Sequence, residues 1–553
     1  MVSREPVRVE FLGGLGEIGR NAALVSQGLD AMLIDFGVMF PKADMPGVDL
    51  VLPDFRAISD REIRLHGVVV THGHEDHIGG LPYLLREVPA PVYGSRFTIE
   101  LVSARLKEHK LLASSELVVV EDYGTVQIGP FRVELIPVTH SVPDAMSVAV
   151  YTSEGVIFHT GDFKIDSAPV DHRQMGLSRL AVLGREQGIR LLLSDSTNAE
   201  EGGYTASESS VFPSLAEIFY SNPGKRIVIA CFASHLHRIL QITQIAELVG
   251  RKVVFMGRSL KRNVSLGVDL GIIPKRILDE SIEVERIDAF DPEEICVIAT
   301  GSQGEQMAVL HTLAFQPERF FKIGENDLVI FSSDVIPGNE SAVNRLINQF
   351  ARLGVRSIYP PMKTVHASGH AKREELATVL SLASPEFFIP VHGEYRQMSA
   401  HADLARKLGV VTKEVLVCQD GEEIVLSGNG LERHPTGYGE YLYVDGVVGD
   451  VSRGLLRDRR VLSEDGVVVV AVTVDSAGVL QGAPEMLSIG WVHDEREEEL
   501  LDEVGTLVAK YFEGLVGPLG EGEIREELKR RVGKFVRERT KRRPMIVSLI
   551  TEV

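Results

Sequence analysis

Cysteine is scarce in this chain. Cys231, Cys296 and Cys418 are the only three, far apart and outside any Cys-x-x-Cys spacing. That excludes a disulfide framework and leaves three buried small hydrophobes in a reducing compartment. Long apolar runs are lacking too: none approaches the ~18 residues of a membrane span, so no membrane partner is expected. The first residues, Met1-Val2-Ser3-Arg4-Glu5-Pro6, lead straight into a strand pattern without the apolar core of a signal peptide, and the expected location is the cytoplasm. An excess of basic residues is also missing. With 58 Lys and Arg against 78 Asp and Glu, the net charge of -20 argues against indiscriminate coating of nucleic acid, which depends on neutralising phosphates over a basic face. The remaining composition is that of an ordinary globular protein, and 553 residues are too many for one core, so two to four domains are expected.

The chain is organised around the stretch from Val68 to Gly80. A β-branched run, Val68-Val69-Val70-Thr71, ends in His72-Gly73-His74-Glu75-Asp76-His77, and an apolar helical pattern from Leu81 to Val88 follows at once. This reads as a buried strand delivering four metal-capable side chains at its C-terminal end. Imidazole suits zinc, manganese and iron, while the carboxylate adds a hard oxygen ligand. One catalytic ion needs three protein ligands. Four here, with more downstream, imply two ions side by side. A chance cluster on a solvated loop would lack both the strand before it and the helix after it.

Upstream, the strand Val7 to Leu12 precedes Gly14-Leu15-Gly16-Glu17-Ile18-Gly19, which formally matches the dinucleotide-binding pattern. Two more strands follow, Asn21 to Val25 and Ala31 to Gly37, instead of the helix that a pyrophosphate requires, so that reading is set aside. Asp35, near a strand end, reads either as a carboxylate orienting a metal-binding histidine or as a turn former. Downstream, a helix is expected over Phe97 to His109 and a hairpin around Ile128-Gly129-Pro130, whose outgoing strand ends at His140. The next strand ends in Asp162, a carboxylate placed to bridge two ions, and His140 joins the ligand set. His159, inside that strand, is expected to pack. Another apolar strand ends in Ser194-Asp195, where a cap or turn role is the ordinary reading.

From about Ser207 helices and strands alternate: helix Ser210 to Tyr220, strand Arg226 to Cys231, helix Leu236 to Val249, strands Lys252 to Met256, Ile295 to Ala299 and Leu328 to Phe331, and helix Ser341 to Leu353. This predicts a parallel, doubly wound sheet inserted into the first domain. Three strand ends carry small polar loops: Ala233-Ser234-His235, Thr300 to Glu305, and Ser332-Ser333-Asp334 onward. Ligands of such sheets bind outside the carboxyl ends of the strands, and backbone N–H groups with Ser hydroxyls suit phosphate oxygens. Metal-capable residues return at His366-Ala367-Ser368-Gly369-His370 and at His392, which ends the strand Phe387 to Val391. A Gly-rich connection, Gly430 to Gly449, then leads to a new start at Val461, a strand, two helices and a last strand. The expected boundaries are 1–206 with 360–430 for the first domain, 207–359 for the insert, 431–460 for a linker and 461–553 for a small C-terminal α/β domain.

The His72 to His77 motif resembles the signature of the metallo-β-lactamase fold, and such a domain with a phosphate-facing insert resembles the β-CASP nucleases. The match extends nearly end to end to the bacterial ribonuclease J family, through Gly14 to Gly19, Thr160 to Lys164, Ser194 to Glu200, Thr300 to Glu305, Ile336 to Asn339 and Lys541 to Met545. The resemblance implies an αββα metallo-β-lactamase sandwich, an inserted β-CASP doubly wound domain and a small C-terminal α/β domain. It places His72, His74 and His140 on one ion and Asp76, His77 and His392 on the other, with Asp162 shared. Asp195, His370 and His392 fall on the three motifs that mark β-CASP enzymes, and His at the last of these is similar to the RNA-directed branch. The segment His366, Ala367, Ser368, Gly369, His370 resembles the substrate-binding loop, joining Ser234, His235, Ser332 and Ser333 as contacts for RNA and its 5′ phosphate. His235 departs from the family pattern, which has Asn there.

The activity so implied is that of a two-metal ribonuclease using zinc or manganese. Two ions ~3.5 to 4 Å apart lower the pKa of a bridging water and clamp a phosphodiester. The hydroxide attacks phosphorus in line, oriented by Asp76 or Asp162, and His370, supported by Asp195, protonates the leaving 3′ oxygen, giving a 5′ phosphate and a 3′ hydroxyl. The resemblance further implies processive 5′ to 3′ exonuclease action on 5′-monophosphorylated RNA, with endonuclease cleavage, in rRNA maturation and mRNA decay. It also implies homodimers or tetramers held by the C-terminal domain, other RNA-decay proteins as partners, and an additional calcium or manganese between Gly47-Val48-Asp49 and Gly449-Asp450, with Asp49 and Asp450 as ligands. Two other readings fit less well. A small-molecule metallo-hydrolase has no need of the insert, and a non-catalytic RNA-binding subunit would be expected to lack ligands, none of which is missing.

Overall fold

A computed structural model describes residues 5–553 apart from 43, 317–320, 337, 429, 447–450, 477, 493 and 516–519. The chain forms two compact units, one of Met1–Met39 with Leu52–Tyr441 and one of Phe40–Val51 with Leu442–Val553.

In the first unit two sheets face each other. The larger has eight strands in the order Gly430–Pro435, Glu422–Ser427, Val7–Gly13, Ala22–Gln27, Asp30–Ile34, Arg64–Val69, Val92–Gly94 and Leu117–Val119. The second has seven, in the order Glu414–Val415, Phe387–Val391, Ile189–Asp195, Gly155–His159, Met146–Thr152, Phe131–Pro137 and Thr125–Ile128. Val9, Phe11, Val25, Met32, Ile34 and Val69 of one sheet pack on Val133, Leu135, Val148, Ile157, Leu191 and Ile389 of the other. Alternation along each strand sends these side chains inward, and each such burial contributes about 1.5–3 kcal/mol. Helices cover the outer faces through a separate cluster that includes Leu84, Phe97, Leu180, Leu376 and Leu380. The metallo-β-lactamase sandwich is therefore as expected.

The insert carries a five-stranded parallel sheet in the order Lys252–Met256, Ile295–Ala299, Arg226–Ala230, Asp327–Phe331, Arg356–Ile358. Its first strand lies in the middle, so the chain order reverses beside it. Loops at the carboxyl ends of the three central strands face such a switch point, which is where open α/β sheets bind ligands. The Gly14 to Gly19 stretch forms no nucleotide loop. Leu15 and Gly16 pair instead with Gly393 and Glu394, beside His392.

In the second unit Val467–Val474 is the central strand, antiparallel to Glu485–Ile489 and parallel to Met545–Glu552. Helices Asp494–Glu513 and Glu521–Thr540 cover one face, with Leu500, Val504 and Val508 and with Ile524, Leu528, Val532 and Val536 at four-residue intervals turned to Val468, Val470 and Val472. The expected linker and the start at Val461 need correction. Gly430–Pro435 is an edge strand paired with Glu422–Ser427, and Val461 lies inside the helix Arg453–Asp465. That helix buries only Leu456, so it lacks the apolar period that would mark it in the sequence.

Candidate metal centre

The strand Arg64–Val69 releases the chain at the rim of the sandwich, and the one-turn helix Glu75–Ile78 turns Asp76 and His77 back over it. His140 follows Phe131–Pro137, Asp162 follows Gly155–His159, Asp195 ends Ile189–Asp195, and His392 follows Phe387–Val391. These strand ends bring together residues more than 300 positions apart in the chain. Three overlapping groups result: His72, His74, His140 and Asp162; Asp76, His77, Asp162 and His392; and Asp162, Asp195 and His370. Within each, the atoms able to hold a metal lie within 4.8 Å of one another.

Two donors bonded to one ion at ~2.0–2.2 Å must themselves stand roughly 3 to 4 Å apart. His74 Nδ1 lies 3.1 Å from His72 Nε2 and 3.2 Å from His140 Nε2. Asp162 Oδ2 lies 3.0 Å from His392 Nε2, 3.3 Å from His77 Nε2 and 3.6 Å from His72 Nε2. Asp76 Oδ2 is 3.6 Å from both His77 Nε2 and His392 Nε2. Burial holds His72 and His140 well below the usual imidazole range and brings His74 to about 4, which keeps their lone pairs available. Burial also works against charge on His77, yet Asp162, Asp76 and Asp35 outweigh it and lift this group well above its ordinary value. Two of these carboxylates, Asp76 and Asp162, face the same nitrogen, His77 Nε2, where a divalent ion would balance their charge. The donor set fits divalent metal.

Each imidazole is aimed by a second contact. His77 Nδ1 donates to Asp35 Oδ2 at 2.7 Å, leaving Nε2 to face Asp162. Asp35 also turns the chain at φ 60°, and Thr71 donates to it through N and Oγ1 at 2.7 and 2.8 Å. His140 Nδ1 donates to Gly369 O at 2.8 Å. A Cβ at Gly369 would sit 2.7 Å from the His140 ring, so only glycine brings that carbonyl so near. His392 stands at φ 51°, a left-handed conformation that costs of order 1–3 kcal/mol outside glycine. Its carbonyl accepts from Ser196 N and Thr197 Oγ1, which hold the turn. His159 does more than pack: its Nδ1 accepts the Gly161 N–H at 3.0 Å, shaping the turn into Asp162.

His370 Nδ1 donates to Asp195 Oδ2 at 2.8 Å. Burial opposes charge on His370, but Asp195 prevails and raises it to about 9. Asp195 is itself fixed by Thr197 N and Oγ1. Sequence reasoning missed several supports. Asn21 Nδ2 donates to Asp76 O at 3.0 Å, and Gly37 lies so close that a Cβ would be 1.6 Å from the same oxygen. Buried Glu375 accepts from Ile165 N, Thr205 N and Lys372 N, tying three loops together. Nothing local marks any of these residues.

The loops of the insert are joined by two side chains. Gln303 Nε2 donates to Ser333 Oγ and Asp334 O, and its Oε1 accepts from Ile336 N. Arg238 donates to Ser332 and to Val365 O. Ser332 and Ser333 are buried, and the Ser332 hydroxyl already donates to Val365 O at 2.6 Å. Ser368 Oγ accepts from Asn198 Nδ2 and His370 N, Ala367 is buried, and Ser234 is half-buried. His235 turns toward Glu208, its Nε2 3.4 Å from Oε1, and His366 Nε2 lies 3.6 Å from Asp334 Oδ2. In the second unit Asp49 Oδ2 accepts from Gly446 N at 2.7 Å, while Gly449 and Asp450 lie outside the described residues. Among the described residues no helix is long and apolar enough to cross a membrane.

Family models match four successive stretches: the metallo-beta-lactamase superfamily over residues 15–172, the ribonuclease J beta-CASP domain over 224–350, the Zn-dependent metallo-hydrolase RNA specificity domain over 358–418 and the ribonuclease J C-terminal domain over 454–553. Ribonuclease J of Thermus thermophilus is 38% identical over 558 residues, covering 99% of this chain and 96% of that protein. Ribonuclease J of Mycobacterium tuberculosis is 38% identical over 553 residues, covering 99% and 97%. Ribonuclease J 1 of Streptococcus pyogenes is 35% identical over 553 residues, covering 98% and 97%. A crystal structure of a protein of unknown function from Enterococcus faecalis, 18% identical, shares the fold with a TM-score of 0.54 over 76% of this chain and all of the other. With these likenesses running the length of a chain whose strand ends converge on a divalent-metal donor set, the protein belongs to the ribonuclease J family and is a metal-dependent ribonuclease.

Proposed function

We propose that this ribonuclease removes nucleotides from the 5′ end of 5′-monophosphorylated RNA and also cleaves internally, in the maturation and turnover of cytoplasmic RNA. The observation that carries this reading is the convergence of two donor groups on Asp162, with the His370–Asp195 pair directly beside them. In the proposed site His72, His74 and His140 would hold one divalent ion and Asp76, His77 and His392 another, with Asp162 within reach of both groups. Zinc or manganese there would supply a nucleophile at neutral pH and neutralise the phosphodiester. Asp76, partly exposed at the mouth of the site, orients the incoming water. Asp195, accepting from Nδ1, holds His370 as the imidazolium, which gives its Nε2 proton to the leaving 3′ oxygen as the phosphorus–oxygen bond breaks and is left as the neutral Nδ1–H form. The products are a 5′ phosphate and a 3′ hydroxyl. Ser368, His366 and the loops of the insert receive the terminal phosphate.

The same reading includes a homodimer through the C-terminal unit. Val467 pairs with Ile489, and Val469 with Leu487, on the sheet face that the two helices leave open. Leu487, Ile489 and Leu549 are more than half exposed there, an apolar patch of the kind that proteins cover by association.

One RNA prepared with a 5′ monophosphate and with a 5′ triphosphate, labelled at its 3′ end, tests the activity. Progressive loss of the monophosphorylated form, much slower loss of the triphosphorylated form and dependence on added zinc or manganese are expected. Equal rates on the two ends would overturn the 5′-end reading. Light scattering on the Ile489→Glu variant should give monomers where the parent gives dimers.

A further inference from the structure

Arg238 is fully buried near the start of the helix Leu236–Leu248, yet its guanidinium reaches three other parts of the first unit. Nε and Nη2 form a two-pronged pair with Glu208 at 2.7 and 2.8 Å. Nη1 donates to Val365 O at 2.7 Å, to Ser332 O at 3.2 Å and to Ser332 Oγ. Glu208 belongs to the turn through which the chain first enters the insert, and Gln241 Nε2 braces it at 2.9 Å. Val365 directly precedes His366, the start of the loop that runs on to Gly369 and His370. The arrangement is expensive to build, because burying an ion pair gains little stability over well-packed apolar side chains. What it provides is geometry. A planar fork with five fixed donors defines the separation of all the groups it touches, which a point charge does not.

We infer that Arg238, held by Glu208, is a positioning residue that sets the Ser332 loop and the His366–His370 loop at a common height, and so determines how strictly the enzyme reads the 5′ end of RNA. This rests on the 5′-end reading above. His140 binds the carbonyl of Gly369, so displacement of the loop is felt first at its Val365 end, while the metal-side end stays anchored. Internal cleavage does not need the terminal phosphate and depends less on that end of the loop.

Arg238→Lys in the full-length, metal-loaded enzyme tests the assignment. The variant keeps a cation beside Glu208 but loses the fork. The expected result is at least a tenfold loss of the monophosphate-over-triphosphate preference, through KM, with internal cleavage of circular RNA within about threefold of the parent. Amide exchange should rise in peptides spanning 332–336 and 365–369 and stay unchanged in the sandwich strands. Gln241→Met, which removes only the brace on Glu208, should shift preference and exchange in the same direction by less, and it provides the test if Arg238→Lys does not fold. Unchanged exchange in both loops would overturn the assignment, and so would exchange rising throughout the insert with both activities falling in parallel, which is the mark of a merely structural residue. If the parent enzyme shows no end preference, the 5′-end reading fails, and with it the assignment of specificity to Arg238, while the exchange data still decide whether Arg238 holds the loops.

Discussion

At the rim of the sandwich the strands Arg64–Val69, Gly155–His159, Ile189–Asp195 and Phe387–Val391 end in or lead into imidazoles and carboxylates; at the rim of the insert Arg226–Ala230, Ile295–Ala299 and Asp327–Phe331 lead into serine, glycine and amide. Both rims use the same device, a parallel strand whose last residue leaves the sheet with its side chain or backbone pointing outward. They differ in what holds the result in place. Ionisable groups a few ångströms apart perturb one another, so each needs its own partner: Asp35 for His77, Gly369 O for His140, Asp195 for His370. The loops of the insert, built mainly of serine, glycine and amide, need a fixed spacing, and Arg238 and Gln303 supply it. Damage to the first rim should therefore abolish chemistry, and damage to the second should alter selection.

The largest effect is expected from His77→Ala or Asp162→Ala. Each removes a donor from a group of four and should cost more than the roughly 100-fold typical of losing a supporting partner. Melting temperature should change little, since the strands remain packed, and near-parental activity of either variant would remove the two-ion assignment. Asp35→Asn keeps the shape but gives His77 Nδ1 a neutral partner, and a loss of roughly 10 to 100-fold in activity or metal affinity is expected, read by titration of the purified protein with zinc. Gly369→Ala crowds the His140 ring and should fall in the same range or just below, with a crystal structure showing the ring displaced.

A smaller effect, and one on the other side of the comparison, is expected of Ser368→Leu. It should erase the preference for a 5′ monophosphate before it reduces internal cleavage, as followed on linear and circular RNA. Loss of both together would place Ser368 with the first rim. The smallest concerns pH. Burial pushes the Glu208 carboxyl up, but Arg238 and His235 outweigh it and hold the group well below its ordinary value of 4.5. A folded pKa lowered in this way contributes stability that is present above about 4.5 and is lost as pH falls below it. Glu208→Gln should thus be less stable than the parent at pH 7, and the gap in urea midpoint should narrow between pH 5 and 3. A gap that is constant with pH would mean that the pair contributes no charge-dependent stability.

The proposed metal ligands were legible because each sits at or just after the end of an apolar strand. His72, His74, Asp76 and His77 are nearly contiguous, and His140, Asp162 and His392 each follow a β-branched or aromatic run. Their supports were not legible. Asn21 meets Asp76 across 55 residues, Arg238 meets Val365 across 127, and Glu375 meets Thr205 across 170, and no local pattern announces such a partner. Ser332, whose place in a polar loop suggests a ligand contact, is buried, and its hydroxyl donates to Val365 O, a bond the sequence does not announce.

By itself, then, the sequence marked the metal-capable residues and the inserted parallel sheet, because strand periodicity and side-chain chemistry are local properties, while the two-sheet sandwich and the family came from the resemblance of its motifs. It misplaced the junction near 431–460, where a polar helix and an edge strand carry no periodic signal. Only the tertiary structure decided which nitrogen of each imidazole faces the centre and that Asp35 and Gly369 aim two of them. Those choices depend on hydrogen bonds between segments far apart in the chain and shielded from water, where a single unpaired polar atom is costly enough to select one arrangement.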